Sequence, residues 1–181
     1  MLKFFLYSVA GCGLEVVWNL LKSKKLRSRR MLLNLPMCPV YGIGAVCMSE
    51  LLSGFRDDVI LLFSFGALLA SAVELVYYLV CVKMFYVKVW DYSEKRANFI
   101  GGVCGEYTLW WGLLAVVFVS YINPVADRVI FAMTDYGRLV TVIFLSAVTA
   151  SDINATIKTL IQYKRGEKEK LPPCFWYMQK I

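Results

Sequence analysis

Apolar residues in this chain come in blocks rather than in the alternating pattern of a soluble sheet. The blocks run from Leu2 to Leu21, Pro36 to Leu52, Val59 to Val82, Cys104 to Ile122 and Leu139 to Ile161. A helix needs about 20 such residues to cross a bilayer. The pattern therefore predicts an all-α polytopic membrane bundle of five transmembrane helices over residues 1–163, followed by a polar and aromatic tail over 164–181. The second block is the shortest, and Pro36, Pro39, Gly42 and Gly44 make its start the place for a broken or re-entrant helix. Irregular backbone at that depth is stable only where protein or a water-filled cavity satisfies its polar groups.

Composition strengthens this reading. Of 181 residues, 59% are hydrophobic and only 18% charged, with a mean hydropathy of +0.60, which is too apolar for a soluble domain of this size. The net charge of +7 suggests nucleic acid, but the basic residues sit between apolar blocks, where anionic lipid accounts for them, so no nucleic-acid partner is expected. Histidine is absent and the six cysteines are scattered without a CxxC pair. The chain thus has no imidazole for acid–base or zinc chemistry, and no metal or cofactor is expected. Val9 to Cys12 has the look of a lipoprotein cleavage box. The apolar run continues to Leu21, however, so a spanning helix is the expectation.

Loop charges set an orientation. Leu21 to Arg30 carries six basic residues and no acid, whereas Ser53 to Asp58 is net acidic. Lys83 to Arg96 and the tail from Lys164 are basic and the Tyr121 to Arg138 loop is balanced, which places the N-terminus outside and the C-terminus in the cytoplasm. Only Lys3 crosses against the rule. In the tail, Pro172 and Pro173 end any helix, and Phe175, Trp176 and Tyr177 suit a bilayer surface or the flank of the protein.

The chain also matches itself. At one constant offset Phe4 falls on Phe63, Glu15 on Glu74, Trp18 on Tyr77 and Lys24 on Lys83. After a longer second loop, Asn34 and Cys38 face Asn98 and Cys104, and Tyr41 to Val46 faces Trp111 to Val116. A parallel repeat of two helices, plus a fifth helix, is predicted.

Three carboxylates lie within the apolar blocks: Glu15, Glu74 and Asp152. Each costs on the order of 2.5 to 3.5 kcal/mol to insert, so each should face the interior and a partner. One reading is a polar site that binds a cation or passes protons, with Arg30 and Tyr41 closing its cytoplasmic side. The other is helix adhesion, Glu15 with Asn19, Glu74 with Tyr78 and Asp152 with Asn154 or a basic loop residue. Asp91 and Ser93 can cap the turn that follows Trp90 and Tyr92, and this charged, aromatic segment serves either as interfacial structure or as a coupling surface.

The order of motifs resembles that of a bacterial membrane-permease family, ABC-transporter type IV (CmpB-like). The resemblance rests on Glu15, Arg30, Asn34, Pro36, Cys38, Pro39, Tyr41, Gly42, Glu74, Trp90, Asp91, Tyr92, Ser93, Asn98, Gly101, Cys104, Trp111 and Gly112, with a weaker match at Asp152. Met31 and Leu35 stand where that family tends to have glycine, and Val89 replaces one of two paired tryptophans. The resemblance implies a multi-pass inner-membrane transport component acting on a small-molecule or lipid substrate. The chain has no GxxxxGK[ST] stretch, so such a role calls for a partner ATPase or self-association. An intramembrane lipid-modifying enzyme with Cys38 as nucleophile, lacking a histidine partner, and a non-transporting interaction subunit are the alternatives. No catalytic residue is assigned.

Overall fold

The computed structural model describes residues 1–24, 31–168, 170–175 and 177–180. Arg30 and Trp176, which the sequence singles out, lie outside the described residues.

Among the described residues, six α-helices carry the fold: α1 (Leu2–Ser23), α2 (Pro39–Leu51), α3 (Val59–Val80), α4 (Gly105–Val117), α5 (Asn123–Ala132) and α6 (Asp135–Lys164). Two begin at polar caps legible in the sequence. Asp58 accepts from the Ile60 and Leu61 amides at 3.1 and 3.0 Å, and Thr134 Oγ1 accepts from Gly137 N at 3.1 Å, so each satisfies N–H groups that a helix start leaves open. Four helical stretches are long and apolar enough to cross a membrane: Leu2–Lys22, Val59–Phe85, Gly105–Ala132 and Asp135–Lys164. The chain is an all-α, multi-pass membrane bundle.

Two expectations change. The second apolar block yields a helix of 13 residues, about 20 Å long, well short of a hydrocarbon core of about 30 Å. Among the described residues, four helical stretches of spanning length and one half-length helix stand where the sequence predicts five transmembrane helices, the second of them the shortest. The fourth block does not end at Ile122 in a loop to Arg138. A π-helical turn over Phe118–Ile122 leads straight into α5, and the chain turns only at Met133 and Thr134. The polar residues that look like a loop face α1 instead: Lys3 pairs with Asp127 at 2.8 Å, and Asn123 donates to Asp127 at 3.1 Å. Pro124 cannot donate to the Ser120 carbonyl four residues back, and Arg56 donates to that oxygen instead, at 2.8 Å.

Packing is closest within two antiparallel pairs. α2 runs back along α1, with Tyr41 against Gly11 and Gly42 against Phe4 and Ser8. α4 runs back along α3, with Ser71 and Thr108 sharing a hydrogen bond at 2.8 Å and Gly66 against Ala115. Small residues at these crossings let the backbones approach, which is how membrane helices gain packing energy. Outside the pairs, α3 continues as a second π-helical turn, Cys81–Phe85. Each π turn has a carbonyl held by a basic side chain: Arg56 donates to Ser120 O at 2.8 Å and Lys164 to Met84 O at 3.1 Å.

The tail packs on the protein. Gln179–Lys180 (β4) pairs antiparallel with Val87–Lys88 (β1). Phe175 is fully buried, and Leu171 and Tyr177 lie against a cluster containing Met31, Tyr78, Val87 and Val89. Two of the departures from the family pattern, Met31 and Val89, are thus core residues. Leu35 has no positive φ, so the loop needs no glycine at that place.

Candidate functional site

Residues 31–38 enter the bundle as non-helical chain. Cys38 N donates to Ser8 O at 2.9 Å, and Ser8 lies 15 residues before the end of α1, about 22 Å along its axis. The loop therefore penetrates far past the last turn of α1, and its N–H groups need internal acceptors. Helix α6 supplies them. Leu33 N donates to Thr156 Oγ1 at 3.0 Å, Leu35 N to Asp152 Oδ2 at 2.7 Å, and Asn34 N to both Asp152 oxygens at 3.1 Å. Asn34 Nδ2 adds a bond to Asp152 Oδ1 at 2.8 Å. Thr149, Asp152, Thr156 and Thr159 form a buried polar stripe at spacings of three and four on α6, one face of a helix. Asp152 is thus engaged by the loop rather than by Asn154.

Cys38, fully buried and extended, stands as the N-cap of α2, and Pro39 occupies the first helical position, where its fixed φ suits a helix start. Pro36 is exposed just before it. The thiols of Cys38 and Cys12 lie within hydrogen-bond reach, and all six cysteines are free.

This entry places Tyr41 in the first turn of α2, where its hydroxyl donates to Glu15 Oε1 at 2.7 Å. Its ring meets Trp111 edge-on, 5.9 Å between centroids. The Trp111 indole donates to Glu74 Oε2 at 3.0 Å and the Tyr92 hydroxyl donates to Glu74 Oε1 at 3.1 Å. Glu15, Tyr41, Trp111, Glu74 and Tyr92 form one continuous chain of contacts. Glu74 is 5% exposed and has no ion-pair partner among the described residues, so neutral donors alone occupy its two oxygens. Asn19 donates to the backbone carbonyl of Glu15 at 2.8 Å, and Tyr78 packs against Gly102.

Tyr92 reaches Glu74 because the segment between α3 and α4 folds back on α3. Asn98–Phe99 (β2) and Val103–Cys104 (β3) make a short hairpin, and Gly101 N–Cα–C sits at φ +71, a left-handed turn that suits glycine. A side chain at Gly102 would strike the Tyr78 ring. Trp90 Nε1 donates to Gly102 O at 2.8 Å and its ring stacks with Tyr77 and Tyr92. Tyr92 in turn stacks on Tyr107 at 4.9 Å. Trp90 and Tyr92 therefore face the protein, while Asp91 and Ser93 are exposed.

Asp91 builds the turn that the sequence predicts. It accepts from Ser93 N at 3.0 Å and from the Ser93 hydroxyl, and pairs with Lys88 at 2.7 Å. The Lys88 ammonium first, and Ser93 after it, pull its carboxyl down to about 2. Its folded pKa lies below the ordinary value, so the turn's stabilisation is complete above about pH 4 and is lost as the pH falls through 2. Solvent screens the pair, which keeps the effect small. Asp91→Asn is expected to raise amide exchange at Ser93 at neutral pH; unchanged exchange would show the turn does not need the carboxylate.

Of the residues chosen from sequence, the fold joins Glu15 to Tyr41 directly and Glu74 to Tyr92 directly, while Asn34 and Asp152 hold the loop beside them. Trp111, legible as the counterpart of Tyr41 and as part of the family motif, links the two halves. Thr156 and Ser8, which satisfy loop backbone, carried no signal beyond the helical spacing of the threonines. The arrangement brings a phenol donor to Glu15 and a phenol and an indole donor to Glu74.

A family model described as "Putative ABC-transporter type IV" matches residues 2–157. No curated protein and no solved structure matches the chain.

Proposed function

Because the chain belongs to the ABC-transporter type IV family, we propose that it is the membrane component of a transport system and that Glu15 and Glu74 form its polar centre, taking a cation or a cationic group of the cargo. The observation that carries this reading is the burial of Glu74 with only Tyr92 and Trp111 as donors. Adhesion between two helices needs no second loop brought to the same acid. Here the first turn of α2 and the segment preceding α4 each deliver an aromatic donor, Tyr41 and Tyr92, to an embedded carboxylate. Rocking of the α1–α2 pair against the α3–α4 pair would open this site to one side, and such rigid-body movement around a fixed site is how alternating access works in many transporters. Asp152 acts in this scheme as a positioning residue, through the loop it holds.

An internal duplication is part of the proposal. Fully buried Cys38 and Cys104 are the N-caps of α2 and α4. The glycine after each aromatic, Gly42 and Gly112, packs on Phe4 and Phe63, which share one offset with Glu15 and Glu74. The basic ends of α1 and α6 support a cytoplasmic location for that side of a bacterial inner membrane. Lys3, which crosses against the rule, is neutralised by Asp127. The cytoplasmic side is then where a partner ATPase would dock.

Native mass spectrometry of the gently purified complex tests this. An ATPase subunit and a small cationic ligand are expected with the wild-type chain, and the ligand is lost in both Glu15→Gln and Glu74→Gln while elution and helical content stay unchanged. A ligand retained by both variants, or both variants failing to fold, overturns the polar-centre reading.

A further inference from the structure

After α6 the chain comes back to the bundle. Gly166, at φ +79, reverses it, and residues 171–180 settle on the side of the two loops. They lie beyond the residues that the family model matches, yet Phe175 is 1% exposed, and Leu171, Tyr177 and Met178 pack against a buried cluster of Met31, Tyr78, Cys81, Val87 and Val89. This seat is made by both helix pairs. Met31 opens the re-entrant loop and Val40, in the first turn of α2, packs on the same cluster, whereas Tyr78, Cys81, Val87 and Val89 belong to α3 and the chain that continues it. The Tyr177 hydroxyl is within electrostatic reach of Tyr77 and Cys81 on one side and of Cys38 on the other.

We propose that residues 171–180 are a detachable brace that holds the α1–α2 and α3–α4 pairs together, and that its release lets the loop side of the polar site open. The role as a gate rests on the rocking of the two pairs proposed for transport. A segment seated on both pairs has to leave before they part. Its attachment is small enough for that. Its turns close on themselves, Phe175 N donating to Pro172 O at 2.9 Å and Met178 N to Phe175 O at 3.0 Å, so neither bond is lost on departure. The ladder to the body is two residues long, Val87 opposite Lys180 and Lys88 opposite Gln179, and of the described side chains in the brace only Phe175 is fully buried. Arg165, Gly166, Glu167 and Lys168 are exposed between α6 and the brace, which gives the chain slack to swing away. Units with so few buried contacts open at low free energy while the packed helices stay closed.

Hydrogen exchange of the full chain in lipid nanodiscs, with no cargo added, tests the brace in both directions. Phe175→Ser removes its anchor and should raise exchange at Leu33 to Leu35 by about tenfold, while the centres of α1 and α3 keep wild-type protection. Lys88→Cys combined with Gln179→Cys sets two cysteines opposite each other in the ladder, close enough to form a disulfide. The bridged protein should exchange more slowly than wild type at Leu33 to Leu35, and a reductant should restore the wild-type rate. Exchange at Leu33 to Leu35 that moves in neither variant refutes the brace. A rise in Phe175→Ser that spreads through α1 to α4 refutes it too, since the tail would then be core. These outcomes leave cation binding at Glu15 and Glu74 untouched; failure of the polar centre shows separately, as a ligand kept by both glutamine variants.

Discussion

Asp152→Ala is expected to destabilise the protein by about 3 kcal/mol, because it strips the buried charged acceptor from three part-buried loop donors at once. Those donors are the amides of Asn34 and Leu35 and the Asn34 side chain. Alanine leaves a cavity beside them as well as open N–H groups, and neither Thr156 nor Ser8 can take over, since each already holds its own loop amide. For a chain of this size the loss corresponds to a fall in Tm of roughly 10 °C. Asp152→Asn keeps one carbonyl acceptor but turns an NH2 toward the same amides, so it should lose an intermediate amount. Thermal unfolding in detergent reads the first effect, and hydrogen exchange at Leu33 to Leu35 reads its location. If Asp152→Ala keeps both wild-type Tm and wild-type protection in the loop, α6 does not hold the loop in place.

Gly42→Leu should be as damaging, for a steric reason. A Cβ at Gly42 meets Ser8 Oγ at once and lies 2.6 Å from the carbonyl oxygen of Phe4, a backbone atom that cannot swing aside. The larger side chain must push α2 off α1, carrying Tyr41 away from Glu15. Overpacking of this kind costs about 3 kcal/mol where the neighbours are fixed. Gly44, two residues on, has nothing within 4 Å of a Cβ. Gly44→Ala is therefore expected to be neutral or to stabilise α2 by about 0.5 to 1 kcal/mol. The pair separates helix propensity from close approach. Equal thermal stability of Gly42→Leu and Gly44→Ala would mean that the α1–α2 contact does not depend on glycine.

Much of this was visible in the chain itself. Pro36, Pro39 and the two glycines mark an irregular entry before α2, and the structure has non-helical chain there with its amides bonded to α6. Glu15 and Glu74 are legible as acids turned to the interior, half-buried and buried in turn, because little else charged lies in their helices. Other features misled for definite reasons. Asn123, Asp127 and Arg128 look like a loop because polarity is the signal for one, yet two of the three are satisfied by α1 and the helix runs on to Ala132. Trp90 and Tyr92 look like interfacial anchors, but their rings stack inward on Tyr77 and Tyr107. Asp152 looked equivalent to the two glutamates because depth along a helix can be counted and rotation about it cannot.

The sequence alone determined that the chain enters a membrane and roughly where it crosses. Transfer of side chains into hydrocarbon is close to additive along each segment, so local composition suffices to decide it. Which donor meets which acid was settled only by the tertiary structure. Within the bilayer every helix is already apolar, so burial discriminates little between one rotation and another. Close packing at Gly42 and Gly66 and the demand of each buried N–H for an acceptor fix the helices' faces. Those constraints join residues far apart in the chain, such as Asn34 with Asp152 and Tyr41 with Glu15, and no local pattern contains them.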